Sequence, residues 1–293
     1  LVALSSYLTK DYTTAMTDTA TLYIVPTPIG NLDDMSARAI RVLSEVNWIA
    51  AEDTRHSARL LQHFSIGTKT LSLHEHNEDK RTAMLCERLK GGESVALISD
   101  AGTPLISDPG FVLVRKCREL GISVSALPGP CAAITALSAS GLPTDKFIFE
   151  GFLPVKTQAR EGALSALLDR PFTTVFYEAP RRILDTVTDI QRVLGERNIV
   201  VAKELTKTFE TYASGSAQDV IDYLTAEPAH QKGEFVVMIA PAQINEQAIP
   251  SEAMSLLNTL CEHMPLKKAA AVVASHYDLK KNALYQAGLD AKA

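Results

Sequence analysis

The stretch TLYIVPTPIGN, residues 21–31, joins a short apolar run to a turn rich in proline and glycine. The same succession occurs in VALISDAGTP at 95–104 and in SVSALPGPCAA at 123–133. Ligands of an open parallel sheet bind outside the carboxyl ends of its strands, where glycine lets the backbone approach a ligand closely. We therefore predict that the three turns converge on one binding site.

Between residues 21 and 142, apolar runs of strand length alternate with amphipathic stretches of helix length. This alternation is typical of an α/β domain with a parallel sheet. We expect strands at 22–25, 46–51, 70–73, 94–98 and 122–127, and helices at 36–44, 55–63, 78–89, 108–120 and 130–139. A first α/β domain is therefore predicted over 21–142.

A second domain is predicted over 143–242, because the pattern breaks near Gly141. We expect strands at 172–177, 198–203, 208–214 and 235–240, and helices at 158–169, 179–194 and 216–226. Only residues 204–207 separate two of these strands, which is too few for a helical crossover, so the two strands should pair antiparallel. This domain should therefore contain a mixed sheet.

The ends of the chain have a different composition. Residues 1–20 are expected to be a disordered leader, 243–250 a polar linker and 251–293 a small helical domain with helices at 251–263, 266–276 and 281–286. The most basic cluster in the chain lies in this last segment and consists of Lys267, Lys268, Lys280 and Lys281. A solvated helix face and contact with RNA explain these lysines equally well.

The composition, with 46% hydrophobic residues and a net charge of −5, is that of a soluble globular protein long enough for two cores. The negative charge argues against broad, non-specific nucleic-acid binding, so any polyanion must be held locally. Four cysteines without paired spacing indicate a reduced, cytoplasmic protein. No apolar stretch has the length of a membrane span.

Polar side chains follow the second and third strands. Asp53 precedes a helix and suits a cap, whereas Arg55 and Arg59 lie one helical turn apart and suit a phosphate. His74 and His76 share one face if the chain there is extended. Because no third ligand is evident, we predict hydrogen bonding in a polar cleft rather than a metal site.

Two aspartates follow the fourth strand. Asp100 precedes Gly102 and is expected to face a cation or a hydroxyl group at the cleft. Asp108 begins the sequence Asp-Pro-Gly before a helical pattern, so we predict that it caps the helix. In the second domain, Tyr177 suits contact with a ligand ring and core packing equally well.

Together these motifs resemble the tetrapyrrole methylase superfamily, and more closely its ribosomal RNA branch, the small-subunit cytidine 2′-O-methyltransferases. The resemblance runs from about residue 21 to the end of the chain and rests on 22–31, 51–55, 74–77, 99–104, 128–133, 150–154, 176–178, 204–207, 265–270 and 280–285. It implies two α/β domains with S-adenosylmethionine in the cleft between them, usually as a homodimer, and no metal or other cofactor. It also implies RNA of the small ribosomal subunit as the substrate.

The resemblance implies cofactor contacts at Pro28, Gly102, Thr103, Ile106, Cys131, Ala132, Tyr177 and Leu205. The superfamily's Gly-Asp-Pro turn corresponds to residues 102–104, where Thr103 cannot supply a charge, so Asp100 is expected to supply it.

For methyl transfer to a ribose hydroxyl, a carboxylate can accept the proton while a cation stabilises the developing charge. Asp53 or Glu52 is the candidate base, and Arg55 or Lys203 is the candidate cation. Asp100 or Glu204 is equally suited to orient the ribose. Candidate phosphate contacts are Arg55, Arg59 and the lysines of the C-terminal segment.

Two other functions fit the same cleft. One is methylation of a tetrapyrrole or another small molecule, which a sizeable apolar trough would favour over RNA. The other is a module that senses the cofactor or binds the ribosome without turnover. A positive rim around the cleft would favour RNA.

Overall fold

The structure, a computed structural model, describes residues 19–242 and 249–291. The leader expected over 1–20 and the linker expected over 243–250 lie almost wholly outside these residues. The chain forms two compact units. One extends to Leu168 and resumes over Phe172–Pro241, and the other joins Asp169–Pro171 to the chain from Ala242 onward.

The first sheet has five parallel strands in the order β3-β2-β4-β1-β5. Its strands are β1 (Thr21–Ile24), β2 (Trp48–Ala51), β3 (Lys69–Ser72), β4 (Val95–Ile98) and β5 (Ser123–Ala126). Its helices are α1 (Ala37–Glu45), α2 (Thr54–His63), α3 (Glu78–Lys90), α4 (Phe111–Glu119) and α5 (Ala132–Ala139). The predicted parallel sheet is confirmed.

Side chains of β1 alternate between two cores, as the period of a strand requires. Tyr23 packs in one core with residues of α1, whereas Leu22 and Ile24 pack in the other with residues of α3 and α4. The helix that follows β1 therefore packs on one face of the sheet, and the helix that follows its neighbour β4 packs on the opposite face. Such a reversal opens a crevice at the carboxyl ends of the two strands.

The second sheet has the order β6-β7-β10-β8-β9. Its strands are β6 (Phe147–Phe152), β7 (Thr173–Glu178), β8 (Asn198–Lys203), β9 (Thr211–Ser216) and β10 (Phe235–Ile239). Its helices are α6 (Thr157–Ser165), α7 (Ile183–Leu194) and α8 (Ala217–Ala226). β6 and β7 are parallel and all other neighbours are antiparallel, including β8 and β9. The predicted mixed sheet and antiparallel pair are confirmed.

The two faces of the second sheet have different partners. One face packs against α6, α7 and α8. The other face, which includes Val175, Ala202 and Val236, packs against Ala133 and Leu137 of α5. Helix α5 therefore connects the first sheet to the second and brings its own N-terminus to the space between them.

Several element boundaries differ from the prediction: α6 ends at Ser165, α7 begins only at Ile183, and two further shifts lie near the cavity. The strand expected at 208–214 is β9 at Thr211–Ser216, because residues 204–210 form a turn in which Lys207 N–H donates to Glu204 O at 3.0 Å. The helix expected at 108–120 begins only at Phe111. Both shifts enlarge loops that border the cavity described below.

The C-terminal unit contains α9 (Ser251–Cys261), α10 (Leu266–Tyr277) and α11 (Lys281–Asp290). They pack around a core of their own that includes Leu257, Val273 and Leu284. The predicted helices are confirmed, and the last continues beyond the expected residue 286. In the part of the chain that the structure describes, no helix combines the length and apolarity that a membrane crossing requires.

Candidate functional site

The three turns rich in glycine and proline meet at the carboxyl end of the first sheet. Thr27 N–H donates to Gly102 O at 2.9 Å, and Gly102 N–H donates to Thr27 O at 3.0 Å. The Thr103 hydroxyl donates to Pro130 O at 2.8 Å and so connects the second turn to the third. The predicted convergence of the three turns is confirmed.

A cavity of about 350 Å³ lies beside these turns, between them and the second sheet. Of the residues expected to contact a cofactor, its wall contains Gly102, Thr103, Ile106, Cys131, Ala132, Tyr177 and Leu205. Pro28 and Asp100 do not line it. Its size and largely apolar lining are typical of a small-molecule site.

The wall also contains residues for which the sequence predicts no contact with the cofactor, namely Ile29, Ala101, Ser107, Asp108, Phe152, Glu178, Ala179, Pro180, Glu234, Phe235 and Val236. Val236 lies beside Tyr177 on one side and Ala202 on the other. No sequence signal reveals that pairing. Asp108 had a signal, since it follows the second turn closely in the sequence.

Tyr177 fixes one wall of the cavity. Its hydroxyl oxygen accepts a hydrogen bond from Ala133 N–H in the first turn of α5, at 3.2 Å. Its ring packs edge-on against Phe149 and Phe152, with centroids 4.8 and 5.8 Å away. Burial, followed by the nearby Cys131, raises the pKa of the phenol, so Tyr177 stays neutral. It therefore combines ring packing with a polar anchor.

Two loops at the cavity hold non-glycine residues at positive φ. They are Leu105 (φ 73°) and Ser107 (φ 68°) in one loop, and Glu204 (φ 52°) and Thr206 (φ 65°) in the other. This conformation costs about 1–3 kcal/mol per residue, and such strain clusters at functional sites. The neighbouring structure must therefore hold both loops in place.

The second of these loops is held by an ion-pair network. Lys207 Nζ donates to Glu204 Oε1 at 3.0 Å and to Glu234 Oε2 at 2.8 Å. A Cβ on Gly30 would lie 2.6 Å from Lys207 Cγ, so this loop packs directly on the first turn. Glu204 thus supports the loop that carries Leu205 into the cavity wall.

The candidate bases differ in their surroundings. Asp53 caps α2 by accepting from Arg55 N–H at 2.8 Å, and its carboxylate also binds the Arg55 guanidinium. These hydrogen bonds lower the pKa of Asp53 to about 2, which makes it a weak base. Burial, followed by repulsion from Asp100, raises the pKa of Glu52. Glu52 is therefore the stronger base of this pair.

Lys203 is not brought to the cavity. Ala202 faces the side of the second sheet that carries Tyr177, and successive residues of a strand face opposite sides. Lys203 follows Val201 by two residues, and the Val201 side chain belongs to the core under α7 and α8. The buried Lys203 side chain does not line the cavity, and its role as the cation of the reaction stays a prediction.

The prediction that Asp108 caps α4 is wrong. Gly110 is the N-cap residue, and Glu78 Oε1 of α3 accepts from Gly110 N–H at 2.9 Å and from Val112 N–H at 3.0 Å. Asp108 instead lies in the cavity wall. Asp100, which was expected at the cleft, accepts from Asp53 N–H at 3.2 Å and so ties the end of β4 to the end of β2.

Replacing Glu78 with alanine should loosen the loop that contains Asp108, because α4 then loses its only side-chain cap among the described residues. Loss of a cap costs about 1 kcal/mol, so we expect a lower free energy of unfolding in urea titrations. Glu78→Gln keeps an acceptor oxygen and should stay closer to the parent protein. Equal stability of the alanine variant and the parent would contradict this account of the cap.

The two histidines after β3 belong to a polar turn. His74 N–H donates to Asn77 Oδ1 at 3.0 Å, and the His74 ring contacts Asn77 Nδ2 at the same distance. Within residues 19–242 and 249–291, no group of three His, Cys, Asp or Glu side chains is arranged to hold a metal ion.

Comparison with known proteins agrees with this architecture. Residues 21–221 match the family Tetrapyrrole (Corrin/Porphyrin) Methylases, and residues 247–292 match the RsmI C-terminal HTH domain. A solved uroporphyrin-III C-methyl transferase from Thermus thermophilus, complexed with S-adenyl homocysteine, superposes with a TM-score of 0.51. It covers 75% of this chain and 97% of its own at 15% identity, which shows the fold.

Two curated relatives are much closer in sequence. Ribosomal RNA small subunit methyltransferase I of Vibrio cholerae is 52% identical over 92% of this chain and 94% of its own. The protein of the same name in Haemophilus influenzae is 53% identical over 94% of this chain and 98% of its own. The chain therefore belongs to the tetrapyrrole methylase family and, within it, to the ribosomal RNA small subunit methyltransferase I proteins.

Proposed function

We propose that this chain transfers a methyl group from S-adenosylmethionine to the 2′-oxygen of a cytidine ribose in RNA of the small ribosomal subunit. The observation that carries the proposal is the cavity formed where three strand-end turns meet the second sheet. The substrate class comes from relatives that share half of the sequence along nearly its whole length.

The cavity suits the cofactor. Its wall combines apolar side chains, such as Ile106 and Leu205, with the backbone of Gly102, which has no side chain and can approach a ligand closely. A structural neighbour complexed with the demethylated product supports the same use of the fold. S-adenosylmethionine would supply an electrophilic methyl group here, and the chain would supply positioning and removal of a proton.

The domain limits, the cellular location and the oligomeric state are further parts of the proposal. We infer domain limits at 21–142, 143–242 and 251–293, a cytoplasmic location and a homodimer. Free cysteines support the location. Exposed apolar side chains, including Ile134, Phe147 and Phe152, support association of two copies. Sedimentation of the purified protein should give twice the chain mass, and a monomer would contradict the homodimer.

The RNA contacts are inferred from exposed cations, namely Arg55, Arg59 and the lysines of the C-terminal segment. Replacing Lys267, Lys268, Lys280 and Lys281 with alanine should weaken binding to small subunits and reduce its dependence on salt. Each lost phosphate contact should reduce the slope of log K against log salt by about 0.7–0.9. Binding of S-adenosylhomocysteine serves as the control and should not change. An unchanged salt slope would exclude these lysines from the RNA interface.

The acceptor class is tested by comparing three substrates. With radioactive S-adenosylmethionine, we expect methylation of small ribosomal subunits from cells that lack the enzyme, and no methylation of large subunits or uroporphyrinogen III. Label only in the tetrapyrrole would establish the small-molecule alternative. Tight cofactor binding without label in any acceptor would favour a binding module.

A further inference from the structure

Asp108 is placed in the wall of the cavity by the loop that connects β4 to α4. Leu105 and Ser107, which precede it, both have positive φ, so the backbone is held in an unfavourable conformation next to this carboxylate. Gly110, which follows it, has φ 125°, and a Cβ there would lie 2.6 Å from Leu97 Cδ2. Residues on both sides of Asp108 thus fix the path of the loop.

The helix that follows does not use the Asp108 carboxylate. An aspartate in this position ordinarily accepts from the first N–H groups of the helix. Here Glu78 of α3 accepts from two of those groups, at 2.9 and 3.0 Å. Glu78 therefore caps α4 in place of Asp108. The Asp108 carboxylate remains available to a ligand in the cavity.

The other polar groups of this region already have structural partners. The Thr103 hydroxyl donates to Pro130 O, and Asp100 accepts from Asp53 N–H. Asp53 itself is bound by Arg55.

The other carboxylates of the cavity wall are engaged as well, since Glu178 accepts from the Thr186 hydroxyl and Glu234 accepts from Lys207 Nζ. Asp108, which lies beside the Ser99 hydroxyl, is the cavity-wall carboxylate with neither an ion pair nor a capping role among the described residues.

The surroundings of Asp108 make it a stronger base than an exposed aspartate. Burial, followed by repulsion from Glu52 and Asp100, raises its pKa to about 6, against the opposing effect of the Ser99 hydroxyl. The titratable groups around it are Glu52 after β2, Asp100 after β4, Cys131 before α5, Tyr177 and Glu178 of β7, and Glu234 before β10. A base with a pKa near the working pH transfers protons most effectively.

We propose that Asp108 is the general base that accepts the proton of the ribose 2′-hydroxyl during methyl transfer, an inference that rests on the proposed function. The ribose oxygen forms a bond to the methyl carbon as the carbon–sulfur bond breaks and its electron pair stays on sulfur. The hydroxyl proton passes to the Asp108 carboxylate. The charge thus balances, since the sulfonium becomes a neutral thioether and the carboxylate becomes a neutral acid.

The test compares the parent enzyme with Asp108→Asn, Asp108→Glu and the exposed control Asp145→Asn. Under single-turnover conditions, Asp108→Asn should slow 2′-O-methylation of small subunits by about 10²–10⁴-fold. Asp108→Glu should recover part of the rate, and Asp145→Asn should match the parent. Calorimetry with S-adenosylhomocysteine should give the same affinity for all four proteins.

The pH dependence separates a base from a merely structural residue. The base works only when ionised, so kcat/KM of the parent should rise with pH and level off above an inflection near pH 6. Asp108→Asn should lack that inflection.

Three results would overturn the proposal. A parent-like rate in Asp108→Asn would remove Asp108 from the chemistry. A matching loss of rate and of S-adenosylhomocysteine affinity would make it an anchor for the cofactor instead. If the parent enzyme itself forms no 2′-O-methylated product, the proposed function fails, and the inference fails with it.

Discussion

Replacing Gly102 with valine is expected to lower the affinity for S-adenosylhomocysteine by at least about 100-fold, equivalent to about 2.7 kcal/mol. Gly102 has φ 80°, where a β-branched side chain is strongly disfavoured. A Cβ there would also lie 3.2 Å from Ile29 Cγ2, and valine adds two further methyl groups. The turn must then move away from Thr27, and the cavity wall moves with it.

The control for Gly102→Val is Gly121→Val. Gly121 has φ 68° and open space around the position of a Cβ, and it does not line the cavity. The Gly121→Val substitution therefore imposes comparable backbone strain without disturbing the site. Calorimetry should show lost binding for the first variant and parent-like binding for the second. Parent-like binding by a folded Gly102→Val protein would mean that the cofactor does not contact this turn.

Replacing Tyr177 with alanine is expected to give the second-largest effect, on both stability and binding. The change removes a ring that packs against Phe149 and Phe152, and it leaves Ala133 N–H without its acceptor. Truncation of a large aromatic side chain costs about 3–5 kcal/mol when it is fully buried, so we expect about 3 kcal/mol for this partly exposed ring. Affinity for S-adenosylhomocysteine should fall by about 100-fold, because the wall loses its shape.

Tyr177→Phe isolates the hydrogen bond from the packing. It keeps the ring, so only the bond from Ala133 N–H is lost, at about 1 kcal/mol. Urea titration and calorimetry should therefore show smaller losses of stability and of cofactor affinity for Tyr177→Phe than for Tyr177→Ala. Equal losses in both variants would show that the hydroxyl group, rather than the ring, governs this wall.

The parts of the fold that were predictable are those set by local pattern. The three turns are predictable because each combines an apolar run with glycine and proline at the end of a strand. The antiparallel pairing of β8 with β9 is predictable because the connection between them is too short for a crossover. Both the turns and the antiparallel pairing are determined by residues that are close together in the sequence.

The start of α4 was not predictable, because it depends on a distant residue. The sequence Asp-Pro-Gly at 108–110 is a strong local signal for a cap. Glu78 lies about thirty residues earlier and reaches the same N–H groups from another helix. Glu78 therefore caps α4 through tertiary hydrogen bonds, and Asp108, which does not cap the helix, lines the cavity as the candidate base.

The cavity wall was only partly predictable, because strand order and strand face are tertiary properties. Phe235 and Val236 joined the wall because β10 lies between β7 and β8, an order that no sequence signal reveals. Lys203 was correctly placed at the end of a strand, yet a shift of one residue separates the cavity face from the core face.

The central claim is tested most directly by the chemical identity of the methylated product. Small ribosomal subunits from cells that lack the enzyme are incubated with tritiated S-adenosylmethionine and the protein, and the RNA is then digested to nucleosides. The account predicts label in 2′-O-methylcytidine. Label in a base-methylated nucleoside, or none in RNA with cofactor binding intact, would contradict it.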